Sequence, residues 1–142
     1  MSPGHRYSAR MRVPGFLLRQ LYRSGSLRNE PDGFSLQAHN PLGDGTLVRI
    51  GRIRVDGQDI DAHDVTARRD GDPAIYQALD VSPRSPVTFR RGDVVTFHVA
   101  GWQLEPGDHR LELEVEEVNL GRVSLAIEDR IETAIPAPAE GR

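Results

Sequence analysis

Residues 101–116 read GWQLEPGDHRLELEVE, and the second half alternates without interruption, with Leu111, Leu113 and Val115 on one side and Glu112, Glu114 and Glu116 on the other. A period of two is the mark of a strand with one buried face, so a long strand is expected over residues 109–117, entered through a turn at Pro106-Gly107. Its leucines should face a second sheet and its glutamates solvent, or an arginine on a neighbouring strand. The stretch also carries the chain's single tryptophan, Trp102, and one of its five histidines, His109.

The same alternation recurs on both sides of this strand. Phe34, Leu36 and Ala38 alternate with Ser35, Gln37 and His39; Val95, Phe97 and Val99 with Thr96 and His98; Val123, Leu125 and Ile127 with Ser124, Ala126 and Glu128. Between these runs stand NEPDGF, LGDGT, VDGQ, RDGD, RRGD, EPGD and NLGR, each joining Gly to Asp, Asn or Pro, residues that tolerate the backbone angles of tight reversals. In TLVRIGRIRVDG the apolar set Val48 and Ile50 resumes one position late at Ile53 and Val55, which predicts a bulge at Gly51. FLLRQLYR is read as a further strand, although Leu17, Leu18, Leu21 and Tyr22 also fit a helical spacing. The expectation is all-β: one antiparallel β-sandwich, immunoglobulin-like or jelly-roll-like, of about eight strands with little or no helix. It should occupy residues 13–132, behind a flexible basic arm at 1–12 and before a disordered tail at 133–142.

Composition removes whole classes of chemistry. The 142 residues contain no cysteine, so disulfides, thiolate nucleophiles and cysteine-ligated metals are excluded. All 18 basic residues are arginine. Without lysine no Walker-type phosphate loop, Schiff base or lysine general base can be built. Residues 1–54 hold nine arginines against three acids, and the remainder nine against eighteen. A basic half invites nucleic acid, but a net charge of −3 and the prospect of basic early strands lying beside acidic late ones favour cross-strand pairing within a sheet. No apolar run reaches the length of a signal core or membrane span, so a cytoplasmic protein with neither nucleic-acid nor membrane partners is expected. Met11 offers a second start besides Met1.

Candidate sites are sparse. His39 and His98 both fall on outward positions and could meet across strands, with Asp44 or Glu116 completing a metal site; scattered surface histidines are the commoner arrangement, and no metal or cofactor is expected. Asp56, Asp59, Asp61 and Asp64 crowd one segment without the spacing of a calcium loop and are read as an acidic turn. Arg91-Gly92-Asp93 is read as a reversal, RSGSLR as a polar turn, and no nucleophile elbow is present. No catalytic residue is assigned. The residues expected to touch a partner or ligand are Trp102, His39, His98 and Arg49, with Trp102 placed in the core and its ring edge still reachable from the loop side.

Two likenesses refine this. IRVDGQDI, followed some way on by LEPGDHRLELEVE, resembles the β subunit of C-glycoside deglycosidases over about Val13 to Ile131. The resemblance implies a sandwich that stabilises or completes a larger, metal-binding catalytic subunit acting on a 3-keto C-glucoside. NPLGDGTLVRI stands where that family carries a Tyr-rich Arg-Gly segment, and no catalytic residue transfers. VPGFLL and LYRSGSLRN are similar to small proteins that go under the name hydroxymethylglutaryl-CoA reductase. A reductase of that class requires a catalytic lysine and a nicotinamide-binding domain; this chain has neither, so the name is not expected to hold. The functional expectation is an accessory subunit, partnered by a larger catalytic subunit; the alternative is a self-associating sandwich that binds a carbohydrate or other small ligand.

Overall fold

The computed structural model describes residues 15–132; the arm expected at 1–12 and the tail at 133–142 lie outside them. The chain enters through a one-turn helix α1 (Gly15–Leu18) and a 3-10 turn, Arg19–Leu21. Ten strands follow: β1 (Arg28–Glu30), β2 (Gly33–His39), β3 (Gly45–Val55), β4 (Gln58–Asp59), β5 (Val65–Arg69), β6 (Tyr76–Gln77), β7 (Val87–Phe89), β8 (Val94–Ala100), β9 (Gly107–Glu117) and β10 (Gly121–Ile131). They form two sheets, ordered β1-β2-β8-β5-β6 and β10-β9-β3-β4, with β7 also paired to β3. Every strand pair is antiparallel. This is the expected sandwich, and the two strands beyond the expected eight are accounted for by pieces as short as β4 and β6, which carry too few residues to show a period.

The inward positions of both sheets meet as the alternation requires. Phe34, Leu36, Phe97 and Val99 of the first sheet pack in one cluster with Ile50, Ile53, Val55 and Leu111 of the second. Each such side chain removed from water contributes roughly 1.5–3 kcal/mol. All seven turn signals fall at strand ends. In the β3–β4 hairpin both loop residues have positive φ, 51° at Asp56 and 83° at Gly57, the two-residue reversal that an Asp-Gly pair favours.

The slip in β3 is real: its register with β9 shifts between Ile50 and Ile53, so both isoleucines stay inside. Gly51 sits at the shift because the strand runs tight against β9 there; an ideal Cβ would lie 3.0 Å from the Glu114 carbonyl oxygen.

FLLRQLYR corrects the reading above. It is not a strand: residues 15–21 are helical, and only Tyr22 bridges to β2, at Ala38. Leu18, Leu21 and Tyr22 stand at i, i+3 and i+4, the spacing that puts side chains on one side of a helical turn, and all three turn to the same cavity.

The charge asymmetry is resolved by topology. On the outer face of the second sheet, basic β3 lies beside acidic β9, with Arg49 Nε 3.3 Å from Glu116 Oε1 and Arg54 3.8 Å from Glu112, while Arg122 of β10 reaches Glu114 at 3.1 Å. Exposed pairs of this kind contribute little stability each, so they clothe the face rather than hold it. Among the described residues no helix is long and apolar enough to cross a membrane.

Candidate functional site: an apolar cavity between the sheets

The β9–β10 hairpin carries a gradient that the alternation does not show. At one end Leu111 and Ile127 are buried; toward the β9–β10 turn the equally inward Leu113, Val115, Val123 and Leu125 are only half-buried. The sheets part there, leaving a cavity of about 370 Å³. Leu36, Ala38 and Phe97 form one wall, the four half-buried residues of the hairpin the other, and Leu47 and Phe89 also line it. Leu18, Leu21 and Tyr22 contribute from the N-terminal turn.

The mouth is built from two loops, of whose polar side chains Asn40, Asp44 and Glu117 are already occupied. Asn40 donates through Nδ2 to the carbonyls of Gly43 (2.7 Å) and Phe89 (2.8 Å), and its Oδ1 accepts from Leu42 N at 3.0 Å. Glu117 accepts from Thr46 N at 3.0 Å and from Asn119 N and Leu120 N at 2.8 Å each. Asp44 accepts from Arg91 N at 2.9 Å. These groups shape the entrance. Apart from Tyr22 and Asn119 the rest of the lining is hydrocarbon, and among the described residues no histidine, serine, threonine or arginine lies on it, so these residues assemble neither a nucleophile-base pair nor an anion clamp there. Phe16, Leu42 and Val118, three of the large exposed hydrophobics, lie on the segments that bound this end.

Tyr22 closes the cavity's edge through a long-range bond: its hydroxyl donates to Asp129 Oδ2 at 2.6 Å, and the same oxygen accepts from Gly25 N (3.0 Å) and Leu27 N (3.3 Å). Burial, reinforced by the Asp129 carboxylate, pushes the Tyr22 phenol well above its usual pKa.

Far along the same hairpin, His109 is buried rather than one of several surface histidines. Its Nδ1 lies 2.7 Å from Asp56 Oδ2 and its Nε2 2.7 Å from the Glu105 carbonyl. Two acceptors require two ring donors, hence an imidazolium. Burial opposes that charge, yet the Glu105 carbonyl and Asp56 carboxylate outweigh it and raise the His109 pKa. Asp56 is held below the usual carboxylate range by Arg110 N and by His109. The pair has the outline of a catalytic Asp-His dyad, but Nε2 is spent on a carbonyl and has no lone pair to take a proton; it is a brace.

None of the four residues expected to touch a ligand lines the cavity. His39 and His98 do not meet: the β2–β8 register sets His39 opposite Val94 and His98 opposite Ser35, and His98 Nε2 lies 2.9 Å from Asp32 Oδ1. Arg49 is on the outer charged face. Trp102 is half-buried and packs against the core. Asp61 folds onto His63, accepting from its backbone N at 2.9 Å, so the acidic segment behaves as a turn. Among the described residues no group of three or more His, Asp or Glu is placed to hold a metal ion. The cavity residues carried two sequence signals, the alternation that turned Leu36, Phe97, Leu113, Val115, Val123 and Leu125 inward and the helical spacing within FLLRQLYR, neither of which separates a cavity from a packed core.

Fold and site together define an antiparallel β-sandwich with an apolar cavity between its sheets. Residues 17–132 match the family described as hydroxymethylglutaryl-CoA reductase, N-terminal domain, and the chain belongs to that family. The matched span takes in both sheets and the whole cavity wall. This corrects the expectation that the name would not hold: the match is to an N-terminal domain of that description. No curated protein matches the chain, and the C-glycoside deglycosidase likeness gains no support from these matches.

Proposed function

We propose that the domain is a non-catalytic module that holds a largely hydrocarbon small molecule between its sheets, as an accessory to a larger enzyme. The cavity carries this reading. Its volume lies within the range of small-molecule sites, roughly 300–1,000 Å³, and its walls are aliphatic and aromatic. A sugar would leave its hydroxyls unmatched there, so an aliphatic or ring hydrocarbon guest fits better than a carbohydrate. The accessory role draws on the family's description as an N-terminal domain and on the absence of lysine. Service to a sugar-processing enzyme of the C-glycoside deglycosidase kind is a finer version of the same role, resting on the likeness of IRVDGQDI and LEPGDHRLELEVE.

The test is binding of N-phenyl-1-naphthylamine, an uncharged fluorophore that brightens in apolar surroundings. The wild-type chain should bind it, and Val123→Phe, which fills the cavity from the half-buried end of β10, should weaken binding at least about tenfold while melting normally. Equal binding by both proteins would remove the cavity from the argument. Purification from the native host with a stoichiometric larger enzyme would support the accessory role; recovery as this chain alone would count against it.

A further inference from the structure

We infer that β10 is a self-association edge, pairing antiparallel with β10 of a second copy across a two-fold axis centred on Leu125. The edges of the sandwich are unequal. β1, β4, β6 and β7 have two or three residues each, whereas β10 has eleven. It pairs with β9 along its whole length without a register shift, and among the described residues no strand pairs with its other edge. A long edge presents a row of free N–H and C=O groups, and single-copy proteins usually blunt one with a bulge, a proline or a charge at its centre. β10 has none of these at its centre: Val123-Ser124-Leu125-Ala126-Ile127 is uncharged and proline-free, although α1, the Arg19–Leu21 turn and β1 lie against the strand and the 22–27 segment is bonded to Asp129.

Charge selects the occupant and the register. Outward residues of β10 are the even-numbered ones, and all of Arg122, Ser124, Ala126, Glu128 and Arg130 are exposed. A two-fold at Leu125 sets Arg122 of each copy opposite Glu128 of the other, and Ser124 opposite Ala126. Moving the axis to Ala126 would set Arg122 opposite Arg130, a like-charge pair; moving it to Ser124 would leave Arg122 facing Ala126. Glu128 makes no ion pair among the described residues; Arg110, its register partner on β9, reaches Glu112 instead. The strand is thus self-complementary in one register, as an isologous interface requires. The pairing would join the two five-stranded second sheets into one of ten strands. It would also place the cavity residue Leu125, on the inward side of the same strand, opposite its counterpart, and Val123 opposite Ile127.

Sedimentation and light scattering of the full chain over a concentration series test this. A reversible dimer is expected, with amides of residues 122–128 gaining exchange protection as concentration rises. Arg122→Glu should weaken association about tenfold or more by setting carboxylate against carboxylate at two symmetric places. The swap Arg122→Glu with Glu128→Arg should restore it; because Arg122→Glu also loses the contact to Glu114 within the chain, association is compared at a temperature where every variant is folded. A monomer at every concentration, open-ended assembly, or a dimer indifferent to the single variant or not rescued by the swap would each overturn the assignment.

Discussion

Asp56 and His109 stand 53 positions apart in the chain, and their side chains meet at 2.7 Å. The contact is the centre of a clamp: Asp56 N also donates to the Arg110 carbonyl at 2.8 Å, and Asp56 Oδ1 accepts from Arg110 N at 2.9 Å. One turn residue thereby fixes the start of β9 against the end of β3. The hairpin that holds half of the cavity wall begins at this clamp.

The clamp makes stability pH-dependent. A histidine whose pKa is raised by folding adds stability that is complete below its unfolded value, about 6.5, and is lost as pH rises through the folded value. The melting temperature should therefore decline above about pH 6.5 in a way His109→Gln abolishes. Asp56, depressed on folding, adds stability above about pH 3.9 that is lost on further acidification. At pH 6 His109→Gln should cost about 1–3 kcal/mol through unmatched buried acceptors, and markedly less at pH 9. A cost independent of pH would show that the ring is neutral in the folded protein.

Tyr22→Phe removes one of four donors to the Asp129 carboxylate and should cost about 1–2 kcal/mol in chemical denaturation, since a hydrogen bond to a charged group is lost while three backbone donors remain. Absorbance titration should show one tyrosine that ionises only with alkaline unfolding, and this component should vanish in the variant. An unchanged midpoint would mean that the 2.6 Å bond contributes nothing net.

Gly51→Ala should cost about 1–3 kcal/mol, because the new methyl presses on a backbone carbonyl that cannot rotate away. Thermal melting reads the effect. A neutral substitution would indicate that the β3 bulge relaxes more freely than its contact with Glu114 allows.

Trp102→Ala should lower the melting temperature of the isolated chain, by less than the ~3–5 kcal/mol typical of a fully buried aromatic, because the indole is only half-buried against the core. Wild-type melting would relocate Trp102's importance to contacts with another molecule.

The sequence by itself determined the layers. Alternation in residues 34–38, 95–99 and 109–117 assigned inward and outward faces, and Gly with Asp, Asn or Pro marked the reversals, because period and turn chemistry are local properties of a strand. The bulge at Gly51 was legible for the same reason. Only the tertiary structure decided how far apart the faces stand. Leu111 and Val115 obey one alternation, yet one is buried and the other half-open, since the gap between sheets depends on what packs across it and not on the strand. The helical turn that borders the cavity was too short for its period to outweigh a strand reading. His109 became a brace because a turn fifty-three residues earlier arrived beside it, and separation of that kind leaves no trace in local pattern.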